Sequence, residues 1–311
     1  MKKRVIAVYN KAQSSFAIMA GMLARCMPDK GFIVCPVAHA AAQADRADVL
    51  LCLWWPFLSD GINEMIRAKA TILGIYDFKS WEAPAQRESL GRAMARADAL
   101  VVANAGLQTA LAVTYGQTPP IFICPDGVDT VLFHPMPLQQ RFTVMWAGNS
   151  EAGGREDLKG LDLVEAACAL AKVPLVIADS SGKRGTALTY EQMRDFYSQG
   201  TVLAIASRVE GGPRTLLEAL ACGRPVVATR CGLVPELIQH GINGAIVERE
   251  VSAFAAGLTY MQRQMALGMG PHISAAAASS VRAWDVEVFA RRWRHAFNAC
   301  ANGRFWGIAK R

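Results

Sequence analysis

Two carboxylates with seven residues between them, Glu210 and Glu218, bracket a run whose residue types suit the handling of an anion. An apolar stretch at 202–206 precedes Glu210, and Gly211, Gly212 and Pro213 follow it. The glycines let a ligand approach the backbone without meeting a Cβ, and Pro213 suits the first position of a helix that Gly223 would close. The start of that helix would present unpaired N–H groups and the positive end of its dipole, which together favour a phosphate. At about 100° per residue, Leu216, Leu217 and Leu220 share a core-facing stripe while Glu218 lies roughly opposite. Groups held by Glu210 and Glu218 would then flank an anion at the helix tip, the layout expected for a sugar, a diphosphate and a ribose. The spacing also allows a plainer role: Arg214 and Glu218 stand at i and i+4 and could form no more than a surface ion pair.

A second cluster of this kind runs from Gly148 and Asn149 through Arg155 to Lys159 and Gly160, ahead of a helical pattern at 161–171. A glycine-rich loop with a lysine at a helix start is suited to clamp a diphosphate whose negative charge grows as a bond to it breaks. The turn at 179–184, Asp179-Ser180-Ser181-Gly182-Lys183-Arg184, either borders a base or phosphate site or is a surface turn. In the first half, Trp54 and Trp55 open one loop and Asp77 and Trp81 lie in another, where aromatic rings either stack on a sugar or base or pack a domain edge. Ser14 sits in the first loop of the chain. The five histidines show no metal-ligand spacing, and no G-x-S-x-G, H-E-x-x-H or Walker A run occurs, so no metal site is expected.

The elements that must hold these groups follow from hydrophobic patterning. Short apolar strands are expected at 5–9, 32–35, 49–53, 71–76, 99–103 and 120–124, then at 143–147, 175–178, 202–206, 225–228 and 245–247, alternating with helical segments. That alternation predicts parallel sheets covered on both faces, in two doubly wound halves. Such sheets bind ligands beyond the C-terminal ends of their strands, which is where each candidate loop falls. Prolines 135 and 137 and the polar run 139–141 mark a linker.

Composition sets the outer limits. With 311 residues, 52% hydrophobic, the chain can bury two cores of ordinary size. No apolar run reaches the length of a membrane helix. The basic start Met1-Lys2-Lys3-Arg4 imitates a secretory signal, but the polar run from Tyr9 to Ser15 interrupts the apolar stretch too early, so a first strand, loop and helix are expected instead. Eight cysteines without a C-x-x-C pair suit free thiols in a reducing cytoplasm. A net charge of +7 favours an anionic partner, whether a nucleotide donor, an acidic membrane surface or a nucleic acid. The basic group Arg291, Arg292 and Arg294 is expected to be a solvated helix face.

The acid pair Glu210 and Glu218 resembles that of GT4-type retaining glycosyltransferases of the GT-B fold. The flanking runs 190–197, 226–229, 232–238 and 240–244 are similar to that family's elements around the motif. The run 124–135 resembles its linker signature, with Asp126 where Asn is usual, and 283–293 resembles its closing helix. The resemblance implies an α/β chain of two Rossmann-like doubly wound domains facing across a cleft, the N-terminal one small. The expected division is an acceptor domain at 1–138, a donor domain at 139–281 and a helix crossing back at 282–311.

By position, the resemblance makes Glu210 and Lys159 the catalytic residues. Gly148, Asn149, Arg155, Lys159, Gly211, Gly212, Arg214, Thr215 and Glu218 would bind the donor, with Glu218 on the ribose and Asn149 standing where the family has a basic residue. Ser14, Trp54, Trp55, Asp77 and Trp81 would lie on the acceptor side. The implied activity is metal-independent, retaining transfer of a sugar from a nucleotide-diphosphate donor, UDP in preference to GDP, to a hydroxyl. The acceptor is open: a glycan, lipid, small molecule or nucleic-acid base. The expected location is the cytoplasm, free or peripheral to a membrane. Two alternatives remain, transfer to a modified nucleic-acid base and a nucleotide-sugar binding module without transfer.

Overall fold

The computed structural model describes residues 4–10, 14–40, 47–59, 66, 68–76, 82–152 and 157–301, and the chain divides into two compact units, Met1–Asp126 with Val286–Arg311, and Gly127–Asp285.

The first unit runs β1 (Arg4–Tyr9), α1 (Ser15–Cys26), β2 (Gly31–Pro36), α2 (Val37–Ala40), β3 (Ala47–Cys52), α3 (Pro56–Ser59), β4 (Ala68–Ile75), α4 (Pro84–Met94), β5 (Ala99–Val102), α5 (Ala105–Tyr115) and β6 (Ile121–Ile123). Its strands form one parallel sheet in the order β2-β1-β3-β4-β5-β6. Helices on both faces leave central strands no wet side, so β5 reads Ala-Leu-Val-Val and is buried throughout.

The second unit runs β7 (Val144–Gly148), α6 (Leu161–Ala171), β8 (Leu175–Asp179), α7 (Met193–Ser198), β9 (Val202–Ile205), α8 (Arg214–Ala221), β10 (Val226–Ala228), α9 (Val234–Leu237), β11 (Gly244–Ile246), α10 (Val251–Ala266), α11 (Gly270–Ser280) and a 3₁₀ turn, Arg282–Trp284. The sheet is again parallel, in the order β11-β10-β9-β7-β8. Alternation along β7 sorts the core. Val144 and Trp146 pack with Leu161, Val164, Phe254 and Leu258 on one face, while Met145 packs with Leu203, Leu216, Leu217 and Leu220 on the other.

The segment leading into β7 is anchored to this unit by a buried cation. The Arg224 side chain is fully buried and donates from Nε to the Tyr197 carbonyl and from Nη2 to the Pro137 carbonyl, both at 2.8 Å. Phe133 closes the same corner, edge-on to Tyr190 and Tyr197.

The last helix, α12 (Val286–Ala301), belongs to the first unit. Phe289, Trp293 and Phe297 recur at i, i+4 and are buried, and Phe297 meets Phe32 of β2 edge-on at 5.7 Å. The basic group splits by position. Arg294 pairs with Asp29 at 2.7 Å, whereas Arg291 is exposed.

All eleven expected strands are present, with ends moved by at most three residues. One local expectation changes. Pro213 is the cap before α8 rather than its first residue, because its ψ of 114° is extended and helical geometry begins at Arg214. All eight cysteines are free, and burial pushes the thiols of Cys52, Cys124, Cys168, Cys222 and Cys300 up to about 12. No described helix is long and apolar enough to cross a membrane.

Candidate active site

The strand order of the second unit selects a place for chemistry. From β7 the chain crosses to β8 on one side, and β9, β10 and β11 follow on the other. The switch therefore lies between β7 and β9, the place beyond which parallel sheets of this kind bind their ligands. The described parts of the loops beyond these two strands are 149–152 with 157–160 and 206–213, which carry Lys159 and Glu210.

The first loop is held from three directions. Gly160 has φ +73°, and a Cβ there would come within 2.3 Å of the Ala206 carbonyl oxygen, so the loop passes against the end of β9 with room only for hydrogen. Trp146 Nε1 donates to the Lys159 carbonyl at 3.2 Å, and the Arg208 amide donates to the Leu158 carbonyl at 2.9 Å. Arg249, just before α10, bridges both loops. Its Nε donates to the Ala206 carbonyl at 2.8 Å and its Nη2 to the Asp157 carbonyl at 2.7 Å.

With its backbone pinned, Lys159 extends to Glu210 and donates from Nζ to Oε1 at 2.5 Å. The same oxygen accepts from Ser207 Oγ at 2.8 Å. Ser207 is itself fixed, because its carbonyl accepts from Thr229 Oγ1 at 2.7 Å. Gly232, with φ +50°, closes over this group, and a Cβ there would lie 2.8 Å from the Gly211 oxygen and 3.1 Å from Glu210 Cβ. Lys159 and Glu210 keep partial exposure, 29% and 12% of their side chains, so a ligand can reach both.

The loops after β7 and β8 are tied together by Asp179, which is fully buried and accepts from the amides of Ser150, Ser181 and Arg184 and from the hydroxyls of Ser150 and Ser181. Burial acts to raise this carboxyl, but the bonds from Ser150 and Ser181 outweigh it and hold it well below the usual carboxylate range. Asp179 is thus the hub of a structured turn and not a surface residue. Asn149 closes its own turn, accepting from the Glu151 amide at 2.9 Å. Gly148 ends β7, where a Cβ would meet the Trp146 ring at 2.9 Å.

Helix α8 starts just beyond Gly211 and Gly212, with Arg214 and Thr215 half-buried in its first turn. Glu218 departs from the expectation of an outward face. It is 4% exposed, because α8 is enclosed on every side over residues 216–221. Its Oε2 accepts from the Tyr197 hydroxyl at 2.8 Å, and Oε1 lies 3.6 Å from Arg214 Nη2. The Arg214–Glu218 pair therefore exists, but as a buried pair and not a surface one, with the Arg214 guanidinium stacked 5.2 Å from the Tyr190 ring centre. Burial pushes the Glu218 carboxyl up, opposed by Arg214 and the Tyr197 bond.

In the first unit the candidates separate. Trp55 is 6% exposed and packs in the core with Leu58 and Leu73, which corrects its placing as a ligand-facing ring. Ser14 caps α1, accepting from the Ala17 amide at 3.2 Å. Trp54 is half-buried beside Phe16, ring centres 5.9 Å apart, and Phe16 meets Tyr76 at 5.8 Å, an aromatic group beyond the C-terminal ends of β3 and β4. Arg155, Asp77 and Trp81 lie outside the described residues.

Sequence reasoning missed Ser207, Thr229, Tyr197, Asp179 as a hub and Arg249. Ser207, Tyr197 and Thr229 stood inside or beside the motif runs without an assigned role. Arg249 carried no signal, since its value comes from bonding two loops about ninety and forty residues away.

Residues 155–263 match the family model described as Glycosyl transferases group 1. The chain is 30% identical over 145 residues to D-inositol 3-phosphate glycosyltransferase of Corynebacterium jeikeium, covering 46% of this chain and 32% of that protein. It is 25% identical over 217 residues to the protein of the same name in Saccharomonospora viridis, covering 67% of this chain and 45% of that one. The matches to these two relatives thus span less than half of their length. Among solved structures, Anabaena Alr3699/HepE in complex with UDP superposes with TM-score 0.75 at 16% identity, covering 96% of this chain and all of that one. Sucrose-phosphate synthase from Thermosynechococcus elongatus superposes with TM-score 0.74 at 14% identity and the same coverage.

Proposed function

We propose, on the premise that this chain carries a glycosyl transferases group 1 domain on a GT-B fold, that it transfers a sugar from a nucleotide-diphosphate donor to an acceptor hydroxyl with retention at the anomeric carbon. One observation carries the reading: Lys159 and Glu210 meet at 2.5 Å between two loops at the switch point of a parallel sheet. That gives a cation for a departing diphosphate next to an acid for the sugar, ahead of the start of α8.

In this reading the diphosphate lies against Lys159 and the first amides of α8, whose fixed positive field attracts the leaving group more strongly as it gains charge. Glu210 holds the sugar beside it. The acceptor hydroxyl attacks the anomeric carbon on the face the diphosphate leaves, and a leaving phosphate oxygen takes its proton. Glu218 lies under the nucleoside end, where a ribose hydroxyl would compete for its carboxylate with Tyr197. UDP is the favoured nucleotide, supported by the UDP-bound HepE structure of like fold. The aromatic group of Trp54, Phe16 and Tyr76 is the candidate acceptor-side surface.

Calorimetric titration with UDP, GDP and ADP tests the donor, with UDP expected to bind most tightly. The anomeric configuration of product formed from UDP-glucose, read by NMR, tests retention. Absence of binding to all three nucleotides overturns the reading.

A further inference from the structure

The two donors at Glu210 fall on one oxygen. Lys159 Nζ and Ser207 Oγ both reach Oε1, at 2.5 and 2.8 Å, while Oε2 makes no hydrogen bond among the described residues. The arrangement is held from behind. Thr229 Oγ1 fixes the Ser207 carbonyl at 2.7 Å, and the Gly232 backbone approaches Glu210 so closely that a Cβ there would stand 3.1 Å from Glu210 Cβ. The Glu210 side chain is 12% exposed, so its open oxygen can still be reached.

We propose that Ser207 orients Glu210 so that Oε2 alone meets the donor sugar, and that this selects a neutral sugar presenting a hydroxyl there over a uronate. The inference rests on the nucleotide-sugar reading above and deepens it. An ionised carboxylate oxygen accepts hydrogen bonds and donates none, so its complement is an O–H or N–H group. A sugar carboxylate in that place brings a second negative charge into a partly dry site, where like-charge juxtaposition is strongly unfavourable. Among the described residues, the cation bonded to Glu210 is already committed. Lys159 lies on the far oxygen of Glu210, and in the working complex it is also drawn to the diphosphate. Ser207, 3% exposed and bonded to Glu210, is a positioning residue here, acting through that carboxylate.

The test uses the full chain and three probes, UDP, UDP-glucose and UDP-glucuronate, titrated by calorimetry. UDP is expected to bind, and UDP-glucose to bind about tenfold or more tightly than UDP-glucuronate. Glu210→Gln removes the charge and keeps the shape, so it should shrink that ratio by about tenfold. Ser207→Ala frees the carboxylate to turn, so it should narrow the ratio while leaving the affinity for UDP alone unchanged; a defect of folding would weaken UDP as well. Equal binding of the two sugars by the native protein overturns the proposal and leaves the nucleotide-sugar reading standing. A ratio unmoved by Glu210→Gln assigns the discrimination elsewhere and also overturns it. A ratio unmoved by Ser207→Ala overturns the positioning role. Failure of UDP itself to bind overturns both the uridine-donor reading and the proposal.

Discussion

Tyr197 donates its phenolic hydrogen to Glu218 Oε2 at 2.8 Å, joining α7 to α8 through a buried bond. The bond gives a buried carboxylate a neutral partner on one oxygen while Arg214 stands at 3.6 Å from the other. Two expectations follow for this pair. Glu218→Gln keeps a hydrogen-bond acceptor for Tyr197 but removes the charge, so nucleotide affinity should fall by about 1.5–3 kcal/mol, the worth of a hydrogen bond to a charged group. Tyr197→Phe should instead cost the fold about 1–2 kcal/mol by leaving Glu218 short of a partner. Calorimetry and chemical denaturation of the two variants separate the effects.

The same carboxylate sets a pH dependence. Burial raises the Glu218 carboxyl above its ordinary 4.5, so the folded chain binds that proton more tightly than the unfolded chain does. Its contribution to stability is therefore fully present below pH 4.5 and is lost as pH rises through the raised value. Comparing wild type with Glu218→Gln across this window should show that component disappear in the variant.

Asp179 has the opposite sign. Its carboxyl is held below the ordinary 3.8, so its contribution is present above that pH and is lost as pH falls further. Asp179→Asn introduces an NH₂ group where only acceptors fit, against donors from Ser150, Ser181 and Arg184. The expected loss is on the order of 2 kcal/mol at pH 7, measured by urea denaturation, with less difference from wild type at pH 3.

Lys159→Met should lower turnover more than it weakens nucleoside binding, because a contact to a leaving diphosphate strengthens in the transition state. The check is kcat and KM for the donor measured together. A raised KM with unchanged kcat would show that Lys159 only holds the ground state.

Gly160→Ala should destabilise the fold by on the order of 3 kcal/mol, because the residue needs φ +73° and its new methyl meets the Ala206 carbonyl at 2.3 Å. Thermal unfolding measures this. Glu210→Ala, by contrast, should abolish transfer with little loss of stability, since its side chain adds no apolar packing.

What the sequence determined by itself was local and periodic. Apolar runs between glycine and proline punctuation located every described strand, and the alternation with helices implied parallel sheets, because strands covered on both faces have no polar side to show. The Gly211-Gly212-Pro213 run marked the start of α8, and the Glu210 and Glu218 spacing carried the resemblance that the family match at 155–263 supports.

Only the tertiary structure decided the environments of those residues. Helical periodicity placed Glu218 away from the leucine stripe, but a helix enclosed on all sides has no outward face, so the packing of α7 against α8 buried it. Trp55 and Ser14 were compatible with a ligand site by type and position, yet one fills a core and the other caps a helix, and each alternative depends on a neighbour the local sequence does not specify. Arg249 and Thr229 acquire meaning only because parallel crossovers bring their loops beside β9, and the choice of Oε1 by both Lys159 and Ser207 is a matter of side-chain geometry across a separation of 51 and 3 residues. Periodicity reports which residues avoid water; distances between groups far apart in the chain arise only when the sheet order is set.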